Sequence, residues 1–417
     1  KEHLGTWLSQ LSEREQKIMK LRFGLDGEEP LTLAEIGRQI NVSRERVRQL
    51  EAKAILKLRV ITQNYELIDI PESGEDLKNI KPKIKIMAVG NCGINALNVA
   101  MQNENFNKLV SFEKIDTDKN TLKPSESESE ILIGEDSFEG LGTFGNPQYG
   151  LEAIEDEIEL INKKLENHNV IFLLAGMGGG TGSGASPLIA NIARKKNILT
   201  VGIVSMPASF EGKRRMRQAE ESVKNFNVDL LIKIPYFAPN QVNTEIDQKF
   251  IYMNKLMGNI MKDLVEIIVR NDSLINVDFN DIKSLFKDSG KGIVSTGSGS
   301  GSAKGIDAAS AAIFSSLLEP VRIDQAKGCL VIFRGGKDMT IEDITSASEV
   351  IYDSLDQSAQ IIVSTVLDES MNNEIKVTVL LTKISEIPPK GKDLTNKNNL
   401  KNRAVPSKEY FDERAVG

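Results

Sequence analysis

A chain of 417 residues, 40% hydrophobic and with a net charge of −7, is too long for one ordinary domain and predicts two or three globular ones, each able to bury its own core. Two cysteines, Cys92 and Cys329, without CxxC or Cys/His spacing argue against a disulfide framework or a zinc site and suit a reducing cytoplasm, while two histidines, His3 and His168, leave histidine-based catalysis little to work with. No apolar run approaches the roughly 18 to 20 residues of a membrane span, so no direct membrane insertion is expected; the first residue, Lys1, reads as the start of a piece of something longer.

Residues 1 to 60 hold 12 Lys+Arg against 9 Asp+Glu, a balance of +3 that leaves −10 for the remainder, so two parts with different partners are expected. Within the basic part, TLAEIGRQINVSRERVRQLEAKAILKLR (32–59) predicts two helices and a tight turn. Thr32 and Glu35 stand at capping-box spacing, and Leu33, Ile36, Gly37 and Ile40 share a face. Asn41 and Val42 break the run, and Ser43 caps a second helix that turns Val47, Leu50, Ala54, Ile55 and Leu58 inward. The result is a small all-α helix-turn-helix domain. Its second helix opens with Arg44, Glu45, Arg46, Arg48 and Gln49 toward solvent. A recognition helix reads base edges from that position, arginine on guanine, glutamine on adenine and glutamate on cytosine. A merely solvated charged face is the plainer account of the same residues. LSEREQKIMKLRFGLDGEEPLTLAEIG followed by VSRERVRQLEAKAILKLR resembles the C-terminal, −35-binding region of a primary bacterial sigma factor over about residues 4 to 60. The resemblance implies promoter DNA and RNA polymerase as partners of this segment, and puts those five residues on the −35 element. The parts of a sigma factor that bind the −10 element and most of the polymerase have no counterpart in the chain, so weak DNA binding is what the segment alone would give.

TQNYELIDIPESGEDLKNIKPK (62–83), polar and broken by Pro71, Gly74 and Pro82, predicts a linker. Beyond it strands and helices alternate: IKIMAV (84–89), a helix from about Gly93, LVSFEKI (109–115), a helix near 148–166, VIFLLA (170–175), a helix after Gly182, and LTVGIV (199–204). Strands this rich in Val, Ile and Leu imply a parallel sheet covered on both faces, with ligands at the strands' C-terminal ends. Two glycine-containing turns sit at such ends. VGNCGINALN (89–98), with Asp116 some two dozen residues on, is compatible with a degenerate dinucleotide fingerprint. GMGGGTGSG (176–184) lacks the lysine of a Walker loop and offers instead a run of N–H groups leading into a helix N-terminus, which favours a phosphate.

AGMGGGTGSGASP (175–187) resembles the tubulin signature as it stands in the FtsZ family of bacterial cell-division GTPases, and the likeness runs over about residues 84 to 385. GLGTFGNPQYG (140–150) is similar to that family's third phosphate-side loop, PASFEGKRRMRQAEE (207–221) to its sugar-side loop, and LINVDFNDIK (274–283) to its synergy loop. The resemblance implies that Asn91, Cys92, Gly93, Ile94 and Asn95 line the phosphates of GTP or GDP with Gly179, Gly180, Thr181, Gly182, Ser183 and Gly184. Glu211 and Arg215 would reach the ribose and base edge, and Phe250 and Asn254 would hold the base. It further implies head-to-tail filaments in which Asn276, Asp278 and Asp281 of one subunit polarise water in the next, with Mg²⁺ on the phosphates and no protein-only metal site. Without the resemblance, the Asp-rich start of that helix reads as an ordinary N-cap. The chain departs from the family at Asn91 and Cys92, whose side chains are expected to point away from the phosphates. It departs again at Lys255, in place of a base-reading aspartate, and at Tyr236, in place of an asparagine. Lysine accepts no hydrogen bond, so base reading would fall to Asn254 or Asn240.

GKGIVSTGSGSGSAKG (290–305) is a Gly/Ser linker by composition and an ordered turn by resemblance; the second reading is preferred. CLVIFRG, AQIIVSTVL and EIKVTVLLTKI around a helix near 340–355 predict a second α/β subdomain, and PSESESE (124–130) a polar surface insertion. The expected organisation is a helix-turn-helix domain (1–61), linker (62–83), tubulin/FtsZ-like nucleotide-binding domain with a parallel sheet (84–245), central helix (246–270), synergy loop and second subdomain (271–385), and a disordered Lys/Asn/Pro-rich tail (386–417). The tail's SKEYFDERAVG matches poorly the short peptide by which FtsZ tails bind division partners. The expected function is a cytoplasmic GTPase of the division site that carries a sigma-like segment. The alternatives are a nucleotide sensor or transcription protein with a degenerate GTPase domain, and an NAD-binding oxidoreductase, which lacks a proton relay here.

Overall fold

The computed structural model describes residues 11–25, 31–40, 42, 47, 50, 54, 82–102, 104–122, 129–235, 246–269, 275, 277–315 and 323–384. In the N-terminal segment, helix α1 (Glu13–Phe23) opens on a capping box: Ser12 Oγ accepts from the Glu15 N–H at 3.4 Å and Glu15 Oε2 accepts from the Ser12 N–H at 2.9 Å. Gly24, at φ +61, closes it in the left-handed conformation that glycine tolerates. Helix α2 (Leu33–Ile40) opens on the box between Thr32 and Glu35. Ile18 of α1, Ile36 of α2 and Val47 are fully buried against one another, with Leu33, Ile40 and Leu50 packed around them. Ser43, Arg44, Glu45, Arg46, Arg48, Gln49, Ile55 and Leu58 lie outside the described residues.

The main domain begins with β1 (Ile84–Val89), α3 (Gly90–Ala100), β2 (Ser111–Asp116) and β3 (Glu130–Leu132). It continues with α4 (Pro147–Glu155), α5 (Ile158–Lys164), β4 (Val170–Gly176), α6 (Thr181–Lys195), β5 (Leu199–Ser205), α7 (Lys213–Lys224) and β6 (Leu230–Ile234). These strands form a parallel sheet in the order β3-β2-β1-β4-β5-β6. Every residue of β1 and β5 is buried because both faces are covered. Ile84, Ile86 and Ala88 point to a core shared with Leu97 and the long helix α8 (Ile246–Val269); Met87 and Val89 point the other way, to Ile154, Ala185 and Ile189. Helix α3 starts at Gly90, not Gly93, because Gly90 takes φ +74 and turns the chain straight off β1. The helix predicted near 148–166 is two, broken after Glu155.

Helix α8, 24 residues and about 36 Å long, crosses α3 where Gly258 leaves no room for a side chain beside the Ala96 carbonyl. It leads to α9 (Phe279–Phe286) and then to β7 (Gly290–Ser300), α10 (Lys304–Ile313), β8 (Ala326–Gly335), α11 (Ile341–Ser354), β9 (Gln360–Leu367) and β10 (Glu374–Ile384). The stretch predicted as a Gly/Ser turn is thus mostly strand. Its start pairs parallel with β6, Leu230 opposite Gly290, and the rest pairs antiparallel with β10. Its composition follows from α10, which lies against it so closely that a side chain on Gly297 would meet the Ala308 carbonyl; Ser295 Oγ donates to the Ala312 carbonyl at 2.7 Å. The sheet runs on as β7-β10-β8-β9, and Phe333, Val377 and Val379 close a second core against α10 and α11.

Candidate functional site

The glycine-rich turn after β4 is built by packing. Gly178, at φ +88, lies where a Cβ would come within 2.7 Å of the Arg215 carbonyl. A Cβ on Gly180 would run into Thr143 Oγ1, one on Gly184 into the Pro147 carbonyl, and one on Gly182 would lie 2.5 Å from the Gly176 carbonyl. Gly179 alone among these five faces open space. Ser183 Oγ accepts from the Gly178 N–H at 2.7 Å, tying the turn to the first turn of α6, whose dipole favours an anion there.

The turn walls two adjoining cavities at the C-terminal edge of the sheet, of about 240 and 360 Å³, which share Asn91, Cys92, Gly176 and Arg215. The smaller is completed by Gly179, Gly180, Thr181 and Gly182 with Gly90, Asp116, Thr117, Asp118, Thr121 and Gly142. The larger is completed by Asn95, Ser205, Met206, Glu211, Phe250 and Asn254, among others. The structure therefore gathers most of the residues expected to bind nucleotide around one cleft. Gly93, Ile94, Ser183 and Gly184 are buried away from its walls: Gly93 abuts the Leu174 carbonyl, Ile94 sits in the core, and Ser183 and Gly184 hold α6 to its neighbours. Asn91 and Cys92 line both cavities; Cys92 Sγ is turned to Ser205 and Asn254 on the wall of the larger one, and Asn91 Oδ1 accepts from Asn95 Nδ2 at 2.9 Å. Lys255 is exposed on α8 and lies on neither wall. Tyr236 and Asn240 are outside the described residues.

Thr117, Asp118 and Thr121 are wall residues that sequence reasoning missed, and they stand beside Asp116, which it marks only as part of a possible dinucleotide fingerprint. Their signal is position: they continue β2 past its C-terminal end, the edge where parallel sheets bind ligands. Burial pushes the Asp116 carboxyl up, against the pull of the Thr117 and Asp118 N–H groups that it accepts from at 2.8 and 3.4 Å. Thr117 Oγ1 and Thr181 Oγ1 are 2.7 Å apart and join this segment to α6. Two carboxylates and three threonine hydroxyls on one wall make an all-oxygen donor set, which suits Mg²⁺ held jointly with phosphates. Among the described residues no group of three or more His, Cys, Asp or Glu could hold a metal by itself. On the wall of the larger cavity, Glu211 Oε2 meets Arg215 at 3.0 Å and its Oε1 accepts from the Ala208 N–H at 2.8 Å.

The remaining predicted residues are elsewhere. Asp278 caps α9, its Oδ1 accepting from the Asn280 N–H at 2.7 Å, and Asp281 is exposed in the first turn; Asn276 lies outside the described residues. Neither aspartate lines the cleft. From Asn254 to the end of α8 is already about 22 Å. Past α9, Asp288 pairs at 2.7 Å with Arg194 in the last turn of α6, at the end of that helix remote from the glycine turn.

A parallel sheet with a glycine-walled cleft at its C-terminal edge, continued through β7 into a mixed half to which one long helix also leads, defines the tubulin class of fold. Residues 83–242 match the model of the Tubulin/FtsZ family GTPase domain, 290–385 that of the FtsZ family C-terminal domain, and 7–60 that of Sigma-70 region 4. The M. jannaschii FtsZ dimer, empty, is similar at a TM-score of 0.69 and 31% identity, over 77% of this chain and 91% of that one. The GTPγS-bound protofilament of CetZ2 from Haloferax volcanii, at 18% identity and a TM-score of 0.62 over 73% and 93% of the two chains, shares the fold. The cell division protein FtsZ of Magnetospirillum gryphiswaldense is 36% identical over 76% of this chain and 56% of its own length; that of Caulobacter vibrioides is 35% identical over 75% and 63%. The chain belongs to the FtsZ family and carries a sigma-70 region 4 segment ahead of it. It spans between about half and two thirds of the length of the relatives it matches.

Proposed function

We propose that this chain binds GTP in the cleft, assembles head to tail, and hydrolyses GTP where the carboxylates of one subunit meet the cleft of the next, as a cytoplasmic component of the division site. One observation carries this reading: the cleft takes Phe250, Met253 and Asn254 from the first half of α8, whereas Asp278 and Asp281 follow that helix in the chain and line neither cavity, which supports a site divided between two subunits. The phosphates would lie against Gly179, Gly180, Thr181 and Gly182 at the start of α6, the ribose against Glu211 and Arg215, and the base against Phe250 and Asn254. Mg²⁺ would be held with the phosphates by Asp116 and Asp118 and would neutralise charge on the transferring phosphoryl group. The chain's own part is positioning: the turn supplies N–H donors, and Asp278 and Asp281 of the neighbour orient water, with Asn276 beside them. Heterologous contacts of this kind do not close on themselves and yield filaments. GTP hydrolysis per molecule, followed against protein concentration with Mg²⁺ present, should rise steeply; a flat profile overturns the shared site.

The sigma-70 region 4 match supports a second activity of the same chain, binding of −35 promoter DNA through Arg44, Glu45, Arg46, Arg48 and Gln49, with RNA polymerase as partner. The match favours it over a solvated helix of no function. Loss of GTP turnover with GTP binding and DNA binding intact would turn the whole into a nucleotide-sensing transcription protein.

A further inference from the structure

The larger cavity, where the base would lie, has Met177, Met206, Pro207, Phe250 and Met253 as the apolar part of its wall. Into it reach a thiol and an amide in mutual contact. Cys92 Sγ lies 3.2 Å from Ser205 Oγ and 3.8 Å from Asn254 Oδ1. Burial pushes the Cys92 thiol up, so it keeps its proton at neutral pH and has one hydrogen to donate. A relay in which the Ser205 hydroxyl donates to the sulfur and the thiol donates to the Asn254 amide oxygen satisfies all three groups. In that sense, with the thiol contact made to Oδ1, the oxygen end of the amide is the one taken. Asn254 Nδ2, with two hydrogens, is the end left for the cavity. The carboxylate on the same wall, Glu211, is engaged at both oxygens, by Ala208 and by Arg215.

We propose that Cys92 is a positioning residue that turns Asn254 donor-first toward the base, so that the pocket selects purines by the keto oxygen at C6 and does not read the amino group at C2. The proposal rests on the reading of the cleft as a purine-nucleotide site. Guanine and hypoxanthine both carry the keto oxygen. Adenine places an amino donor there, donor against donor, and a site left with unpaired polar groups rejects such a ligand strongly.

Equilibrium titration of the full chain with GTP, ITP and ATP, with Mg²⁺ present, tests it. ITP should bind within threefold of GTP, and ATP at least tenfold more weakly than ITP. In Cys92→Ala the preference for ITP over ATP should fall below tenfold; in Cys92→Ser, whose hydroxyl can make the same donation, it should persist. Melting temperatures of both variants report their folding, and a general loss of structure would weaken all three nucleotides together without changing their ratio. A GTP preference over ITP above threefold, or ATP within tenfold of ITP in the unmutated chain, overturns the proposal. So does a tenfold preference that survives in Cys92→Ala or is lost in Cys92→Ser. Failure of the unmutated chain to bind any of the three sinks the nucleotide site itself, an outcome distinct from GTP binding with the wrong base ratios.

Discussion

Arg334 on β8 donates from Nη2 to Asp263 Oδ1 on α8 at 2.6 Å, and both side chains are buried. The same guanidinium reaches Glu266 on α8 and, at 3.4 Å, Asp368 after β9, while Lys376 and Thr378 on β10 contact Asp263 Oδ2 at 3.2 and 3.1 Å. The helix that starts beside the cleft is therefore clamped to the mixed half of the sheet by ions, not by apolar packing alone. Removing one member of a buried ion pair leaves its partner desolvated and uncompensated. Arg334→Met should cost about 3 to 5 kcal/mol, read by urea unfolding, and adding Asp263→Leu should recover part of that loss. An effect under 1 kcal/mol would mean that water reaches the cluster.

Acid should act through the same cluster. Desolvation pushes the Asp263 carboxyl up, but the charges of Lys376 and Arg334 outweigh it and hold the group below the usual carboxylate range. A depressed folded value contributes stability that is fully present above the unfolded value, about 3.9, and is lost as pH falls through the lower folded one. Asp116 behaves oppositely. Its raised folded value weakens folding as pH climbs from the unfolded value through the folded one, and the penalty persists at neutral pH. Asp116→Asn keeps an oxygen for the Thr117 and Asp118 N–H groups and removes the charge. Without nucleotide or Mg²⁺ it should melt a few degrees higher than the unmutated chain at pH 7 and equally at pH 3. A lower melting temperature at pH 7 would show that the carboxylate itself holds the loop.

The strands that the sequence announces are those buried on two faces, such as β1 and β5, where an unbroken apolar run has no other use. β7 hides because its outer half is Gly and Ser, residues dictated by the closeness of α10, a contact that local pattern cannot express. The same holds at the site. Glycine at 178, 180, 182 and 184 looks like ligand chemistry but answers to neighbouring chain, and Gly179 is the one whose open side faces the cavity. Thr117, Asp118 and Thr121 carry no motif of their own; only the order of the strands brings them beside α6. Asp278 reads as an N-cap from sequence and is one, which leaves its lone pairs only partly free for chemistry.

The N-terminal segment should bind duplex DNA in a sequence-dependent way. In the full chain, Arg44→Ala and Gln49→Ala should each cost roughly 1 to 3 kcal/mol of discrimination between a duplex with a −35-like element and a random one. Measurements belong at one stated salt concentration, since phosphate contacts make affinity fall steeply with salt. Equal affinity for both duplexes at physiological salt leaves only a charged, solvated helix.

If two subunits make one active site, two differently crippled chains should repair each other. Asp281 is exposed at the start of α9 and makes no contact with the cleft, so Asp281→Ala should keep GTP binding and lose most turnover, with longer-lived filaments. The complementary variant must spoil the cleft without disturbing the fold. Gly182 is unsuitable, because any side chain there collides with the Gly176 carbonyl across the turn. Gly179→Asp is better: its Cβ has no heavy atom within 4 Å, and its carboxylate would stand where phosphates are expected. Each variant alone should be nearly inactive. In an equimolar mixture, a junction where the intact cleft of Asp281→Ala meets the intact carboxylates of Gly179→Asp is complete, so activity should reappear, approaching a quarter of the unmutated rate if subunits assemble at random. A dead mixture of two folded proteins, one of which still binds GTP, would show that the carboxylates act within their own chain or not at all.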